Sequence, residues 1–222
     1  LVFSFNDRKP YVITRADVFA VSPLTDKFLR SIGLLPAFRL NYDGEGALEK
    51  NAVTFQVSEK ALIEGKTVIM YPEAGHQDKH WLGTFSLGYT KMAFEAAEMA
   101  KFEKDVQILP ACNHYSHYFG LRNRMLVKFG TPISLQPYYE LYKTKPRTAQ
   151  RDVNKLVREQ ISSMMLDIRD LENYEVIDFI RTTYGEDYAK TQGADPDNLP
   201  ERLLTDQDLV AKLDEAKKLD EK

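Results

Sequence analysis

The chain has 222 residues, of which 43% are hydrophobic and 28% charged, with a formal net charge of -3. That length suits one substantial domain, or a domain with a helical extension; the composition excludes a disordered or fibrous chain, and the charge gives no electrostatic case for a nucleic-acid partner. Cys112 is the single cysteine, so neither an intrachain disulfide nor a zinc cluster of thiolates can form.

No run approaches the roughly 20 apolar residues needed to span a bilayer. The opening LVFSFNDRKP has no initiator Met, charged leader region or cleavage site, and it reads as the middle of a longer protein. Part of the fold is therefore expected upstream of Leu1.

In chain order, YVIT at 11–14 predicts a strand and 24–32 a helix that Gly33 breaks. LLPAFRL at 34–40 predicts a short strand ending on Arg39, and 41–46 a turn. The stretch 48–64 has apolar residues at Val53, Val57, Ala61 and Leu62, the spacing of a helix, and Gly65 stops it. TVIMYP at 67–72 predicts a buried strand.

After a polar loop through His80, 85–102 predicts a helix with Leu87, Met92, Ala93, Ala96, Ala97 and Ala100 inward. VQILPA at 106–111 predicts an interior strand and MLVKFG at 125–130 a further one, closed by Thr131 and Pro132. Helices are predicted over 150–170, 176–184 and 205–218, the last reading as a solvated helix or tail. The alternation predicts an α/β fold: a mixed, mostly parallel sheet flanked by helices over 1–137, with a C-terminal helical extension over 138–222.

Three strand ends carry candidate chemistry. YPEAGH at 71–76 places a carboxylate and a glycine where a hydrophobic strand ends, the position where open α/β sheets bind ligands. Glu73 can accept hydrogen bonds from a substrate hydroxyl, and Gly75 lets backbone approach a ligand closely. Arg39 ends its own strand six residues after Gly33 and can grip a phosphate with two parallel hydrogen bonds, a geometry lysine cannot reproduce. At ILPA, 108–111, proline closes a third strand. For each, the plain alternative is a strand terminator with a surface charge.

Their order resembles the glycerolphosphate and lysophosphatidate acyltransferase family, in which an H-x4-D block, a G-x5-R block, a P-E-G block and a strand ending in proline recur. Gly33 to Arg39 is similar to the second block, Tyr71 to Gly75 to the third, and Ile108 to Ala111 to the fourth. Leu82, Phe85 and Gly88 match the L-x-x-F-x-x-G pattern that follows the third. Two departures stand out: Ala74 is inserted before Gly75, leaving His76 near the usual hydroxyl position, and none of His76, His80, His114 or His117 has aspartate five residues on.

The resemblance implies transfer of a fatty acyl group from an acyl-CoA or acyl carrier protein thioester to an acceptor hydroxyl, in phospholipid biosynthesis. The acceptor would be a glycerolphosphate or lysophospholipid such as lysophosphatidate, with no cofactor or metal. It implies a peripheral enzyme on the cytoplasmic side of a membrane, with no nucleic-acid role. A histidine upstream of Leu1 would be the general base, its aspartate fixing the tautomer, so no catalytic residue is expected in this chain and the segment alone should be inactive. Arg39 would hold the acceptor's phosphate, Glu73 and the Gly75 backbone would position its glycerol part, and His76 and Lys79 would add donors to phosphate.

Two other readings stay open: a non-catalytic lipid or acyl-carrier binding module, and a hydrolase using Glu73 with His76. His114 and His117 lack a nearby acidic third ligand for a metal, the aromatic residues 115–119 suit packing or an acyl groove, and Cys112 reads as a small core residue.

Overall fold

A computed structural model describes residues 10–38, 44, 46–73, 79–116 and 123–220, a mixed α/β structure. The described residues fall into two compact units, one drawn from Leu1–Ala74, Phe85–Ile108 and Ile133–Lys155, the other from Gly75–Thr84, Leu109–Pro132 and Leu156–Lys222.

In the first unit, β1 (Tyr11–Arg15) is the middle strand of a parallel sheet, flanked by β2 (Leu34–Ala37) and β3 (Val68–Ile69). Parallel neighbours need crossover connections, and helices supply both. The first is α1 (Pro23–Ser31), preceded by a 3-10 turn at Ala16–Phe19, and the second is α2 (Ala47–Ile63). Ser22 caps α1 by accepting from the Thr25 N–H at 3.1 Å, with Pro23 preset for a first helical position. Pro36, which cannot donate to a ladder, lies on the edge strand opposite Thr14.

The core on this sheet joins Ile13, Leu35 and Met92 with Phe55, Leu62, Val68 and Met70. Helix α3 (Gly88–Met99) buries Met92, Ala93, Phe94, Ala96 and Ala97, matching the predicted inward face at four of its six positions. It starts three residues later than expected because Phe85 is taken up in a β-bridge with Glu73. It ends in two consecutive left-handed residues, Lys101 and Phe102, with φ of 52° and 59°. Phe94 stacks on Tyr142 at 4.4 Å.

Helix α2 lies where the spacing placed it, but its buried face is turned. Val53 and Val57 are exposed, while Thr54, Ser58 and Ala61 are buried. Hydrogen bonding makes this tolerable: Thr54 Oγ1 donates to the Pro36 carbonyl and Ser58 Oγ to that of Thr54, both at 2.8 Å.

The predicted strand at 106–111 is two short strands interrupted at Leu109 and Pro110. The first, β4 (Gln107–Ile108), pairs antiparallel with β7 (Ile133–Ser134); it is not an interior strand, since Gln107 is exposed and Ile108 half-buried. Tyr139, in the short α4 (Tyr139–Thr144), accepts from the Val106 N–H at 3.1 Å and donates to the Lys104 carbonyl at 2.8 Å.

The second unit contains the antiparallel pair β5 (Ala111–Tyr115) and β6 (Met125–Phe129). Helix α5 (Pro146–Met164) stops six residues short of its predicted end, and the chain after it is drawn into contacts described below. Two further helices follow, α6 (Tyr174–Thr191) and α7 (Leu199–Asp220). Leu166, Ile168, Tyr174, Ile177, Leu203 and Val210 form the core of this unit, with Leu126 and Leu213 packed against it. Because Leu203, Asp206 and Val210 are buried, α7 is a packed helix over that stretch rather than a solvated tail.

Candidate functional site

Gly33 and the strand after it set the approach to the predicted arginine. The glycine has φ of 91°, and a Cβ there would lie 2.7 Å from the Pro10 carbonyl oxygen, so both backbone angle and space demand glycine. At the far end of β2, Phe38 is held on both sides by Asn51 of α2. The Phe38 N–H donates to Asn51 Oδ1 at 2.9 Å, and Asn51 Nδ2 donates to the Phe38 carbonyl at 2.7 Å. With Thr54 on the Pro36 carbonyl, α2 therefore fixes the last backbone groups before position 39. Arg39 itself lies outside the described residues, as do Gly75, His76 and His117.

The predicted strand at 67–72 is only Val68–Ile69, opposite Tyr11 and Val12. Beyond Ile69 the chain leaves the sheet and finds other partners: the Ser86 N–H donates to the Pro72 carbonyl at 2.9 Å, and Glu73 bridges Phe85. The half-buried Glu73 thus lies beyond the end of β3, which stops at Ile69 instead of reaching the predicted Pro72, and is held by returning chain rather than by the sheet. Phe85 and Leu82 of the L-x-x-F-x-x-G pattern are buried, and a Cβ on Gly88 would be in ordinary contact with Phe55 and Met70.

Lys79, in the second unit, is exposed and paired. Its Nζ lies 2.9 Å from Glu175 Oε1 and 4.5 Å from the centroid of the Tyr174 ring. The hydrogen bond to Glu175 holds its pKa above the ordinary lysine value. The chain on either side of His80 is tied to the C-terminal region of the same unit. The His80 N–H donates to the Tyr174 hydroxyl at 2.7 Å, and its carbonyl accepts from the Ile168 N–H at 2.6 Å. The Leu82 N–H donates to Asp167 Oδ1 at 3.0 Å, and the Gly83 carbonyl accepts from Arg158.

The His80 and His114 rings lie 6.2 Å apart. Burial is the leading cause that pushes both imidazoles down to about 4, with the Arg181 charge acting the same way, so both are neutral at pH 7. Burial likewise raises the Cys112 thiol, which is half-buried on a two-stranded ladder rather than in a core, and keeps it protonated. No group of three or more His, Cys, Asp and Glu among the described residues could hold a metal ion. A hollow of about 380 Å³ in the second unit, lined by Ser162, Asp167, Arg169, Gln207 and Asp214 among others, contains none of the predicted site residues.

Sequence reasoning passed over Asn51, Arg158, Asp167 and Tyr174, which act on backbone groups far along the chain. No local pattern marks such residues.

Residues 1–114, which hold the parallel sheet, its helical crossovers and the P-E turn, match the model of the acyltransferase family. The chain belongs to that family. Among curated relatives it is 29% identical over 127 residues to an uncharacterized acyltransferase of Schizosaccharomyces pombe, covering 56% of this chain and 19% of the relative. It is also 29% identical over 135 residues to glycerol-3-phosphate O-acyltransferase 2 of Saccharomyces cerevisiae, covering 60% of this chain and 18% of the relative. The matched region is thus less than a fifth of either relative's length.

Proposed function

We propose that the chain carries the acceptor-binding part of an O-acyltransferase that moves a fatty acyl group from an acyl-CoA or acyl carrier protein thioester to a glycerolphosphate or lysophosphatidate hydroxyl. The acceptor oxygen attacks the thioester carbonyl carbon, a C–O bond forms as the C–S bond breaks, and the hydroxyl proton ends on the departing thiolate. Arg39 holds the acceptor's phosphate, Glu73 and the Gly75 backbone orient the glycerol part, and His76 and Lys79 donate to phosphate. The base is a histidine outside these 222 residues.

The observation that carries this reading is the turn that follows β3, where the Pro72 carbonyl accepts from the Ser86 N–H and Glu73 bridges Phe85, so that the backbone of a carboxylate-bearing residue is held just after a parallel strand. The relative named as a glycerol-3-phosphate O-acyltransferase favours the acceptor class. A peripheral position on the cytoplasmic face of a membrane agrees with a lipid product and with exposed Val21, Leu24 and Phe28 around α1. No described helix is long and apolar enough to cross a membrane.

The test is thiol release from acyl-CoA by the intact protein, with glycerol 3-phosphate and lysophosphatidate as acceptors. Acceptor-dependent release supports the proposal. A folded protein that binds either acceptor or acyl carrier protein without releasing thiol would instead be a binding module.

A further inference from the structure

The C-terminal helical region has no counterpart among the acyltransferase blocks, yet it supplies partners for the backbone just after the P-E block. Residues 79–83 belong to no helix or strand, so their N–H and C=O groups have no ladder to satisfy them. Four of those groups are satisfied instead by Arg158 of α5, by Asp167 and Ile168 after it, and by Tyr174 at the start of α6. The anchors are themselves fixed. Tyr174 is 4% exposed and packed with Leu166, Ile168 and Ile177, while Asp167 also accepts from Ser162 and Arg169.

Tyr174 does two things at once. Its hydroxyl receives the His80 N–H, and the face of its ring lies under the Lys79 ammonium. The next residue, Glu175, is the ammonium's charged partner, and its side chain is 82% exposed. A pair this exposed is readily exchanged in water. A phosphate monoester carries more charge and three acceptor oxygens, which suit the three donors of a lysine ammonium better than one surface carboxylate does.

We propose that Tyr174 is a positioning residue for acceptor binding: it fixes the backbone at His80 and aims Lys79, while Glu175 is a placeholder anion that the acceptor's phosphate displaces. This rests on the acceptor-binding reading above. It gives the C-terminal extension a role in substrate selection and makes Glu175 a determinant of affinity for phosphorylated over unphosphorylated acceptors.

The experiment measures thiol release by the intact protein against glycerol 3-phosphate and against glycerol, for wild type, Y174F, E175Q and K79A, with the melting temperature of each. Y174F keeps the ring and loses the hydroxyl. Its KM for glycerol 3-phosphate should rise about threefold to tenfold, the worth of one hydrogen bond, with much less change in kcat or in donor KM. K79A should raise the same KM by more, and Y174F combined with K79A should be little worse than K79A alone. E175Q should lower that KM about twofold to threefold, since the competing charge is gone. None of these should alter the KM for glycerol.

Equal losses with both acceptors, or losses confined to kcat, would mean that Tyr174 is merely structural and would overturn the inference. Should Y174F fail to fold, E175Q at the surface decides alone, and an unchanged KM for glycerol 3-phosphate would sink the proposal. A wild type that acylates glycerol 3-phosphate while every variant matches it refutes this inference and spares the acceptor reading. A wild type that releases no thiol refutes that reading, and this inference with it.

Discussion

Arg181 Nη1 lies 3.0 Å from Asp206 Oδ2, joining α6 to α7 through side chains that are only 12% and 3% exposed. The same carboxylate accepts from Arg202 Nε at 2.7 Å, and Asp178 lies 2.7 Å from Arg181 Nη2. Gly185 stands where the Arg202 guanidinium passes, and any side chain there would collide with it. Because the charges are nearly buried, the pairing tolerates rearrangement poorly. Asp206→Ala leaves two guanidinium groups short of a partner and should cost about 3–5 kcal/mol in urea unfolding. A loss under about 1 kcal/mol would show that water reaches the cluster and that the pair is an ordinary surface one.

The neighbouring histidines set an acid limit on stability. His80 and His114 bind protons at about 4 when folded and at an ordinary 6.5 when unfolded. The unfolded chain therefore takes up protons first as pH falls. The stability from keeping both rings neutral is complete above pH 6.5, is lost progressively from there to about 4, and does not fall further below. For His114, which is 6% exposed, the loss should be on the order of 2–3 kcal/mol. Arg181 opposes protonation of both rings, while Asp178 near His80 and Asp206 near His114 favour it. Asp170, held down to about 2 by Lys217 and Asn173, weakens the fold only below pH 4, so the windows separate. Unfolding of His114→Gln should show a flatter pH profile between 6.5 and 4; an unchanged profile would remove His114 from this account.

The alternation of short apolar runs with helical spacings placed α1, α2 and α3 and the strands β1, β2 and β6 within a few residues, because each follows from a local periodicity. What local pattern could not show is where the chain exchanges a neighbour for a distant partner. The strand at Val68–Ile69 stops early because Pro72 and Glu73 pair with Phe85 and Ser86 rather than with β1, and α5 stops early because Asp167 and Ile168 bond to Leu82 and His80. The outward Val53 and inward Thr54 of α2 fail the hydrophobic pattern for the same kind of reason, since Thr54 serves a strand carbonyl. In the candidate site, a turn carrying Glu73 after a parallel strand was legible from the P-E-x-G spacing, though the strand itself ends sooner, at Ile69. Tyr174, acting from 94 positions away, was not.

Asn51 provides a test of the arginine strand that leaves the arginine in place. Its amide makes both hydrogen bonds to Phe38, the residue before Arg39, so removing it frees the end of β2 without touching a charge. Asn51→Ala should cost about 1–2 kcal/mol of stability. It should also raise the KM for a phosphorylated acceptor severalfold, while Arg39→Lys raises it about tenfold or more because a lysine cannot form the two-pronged contact. Equal KM values for Asn51→Ala and wild type, measured by thiol release, would separate this pin from acceptor binding.

Gly33 distinguishes a motif residue that builds the fold from one that touches substrate. Its φ of 91° is costly for any residue with a Cβ, and here the Cβ would stand 2.7 Å from the Pro10 carbonyl, closer than a non-bonded carbon and oxygen allow. Pro10 precedes the first residue of β1, and the Gly33 carbonyl accepts from the Val12 N–H at 3.0 Å, so relief would require β1 and β2 to move apart. Their ladder runs from Val12 opposite Leu34 to Arg15 opposite Ala37, so the strain falls at the start of this pairing. Gly33→Ala should therefore lose about 2–4 kcal/mol, combining backbone strain with a steric clash. Hydrogen exchange should show the loss first in the amides of Val12 and Leu35. A variant as stable as wild type but impaired in acylation would reverse the assignment and make position 33 part of the acceptor site.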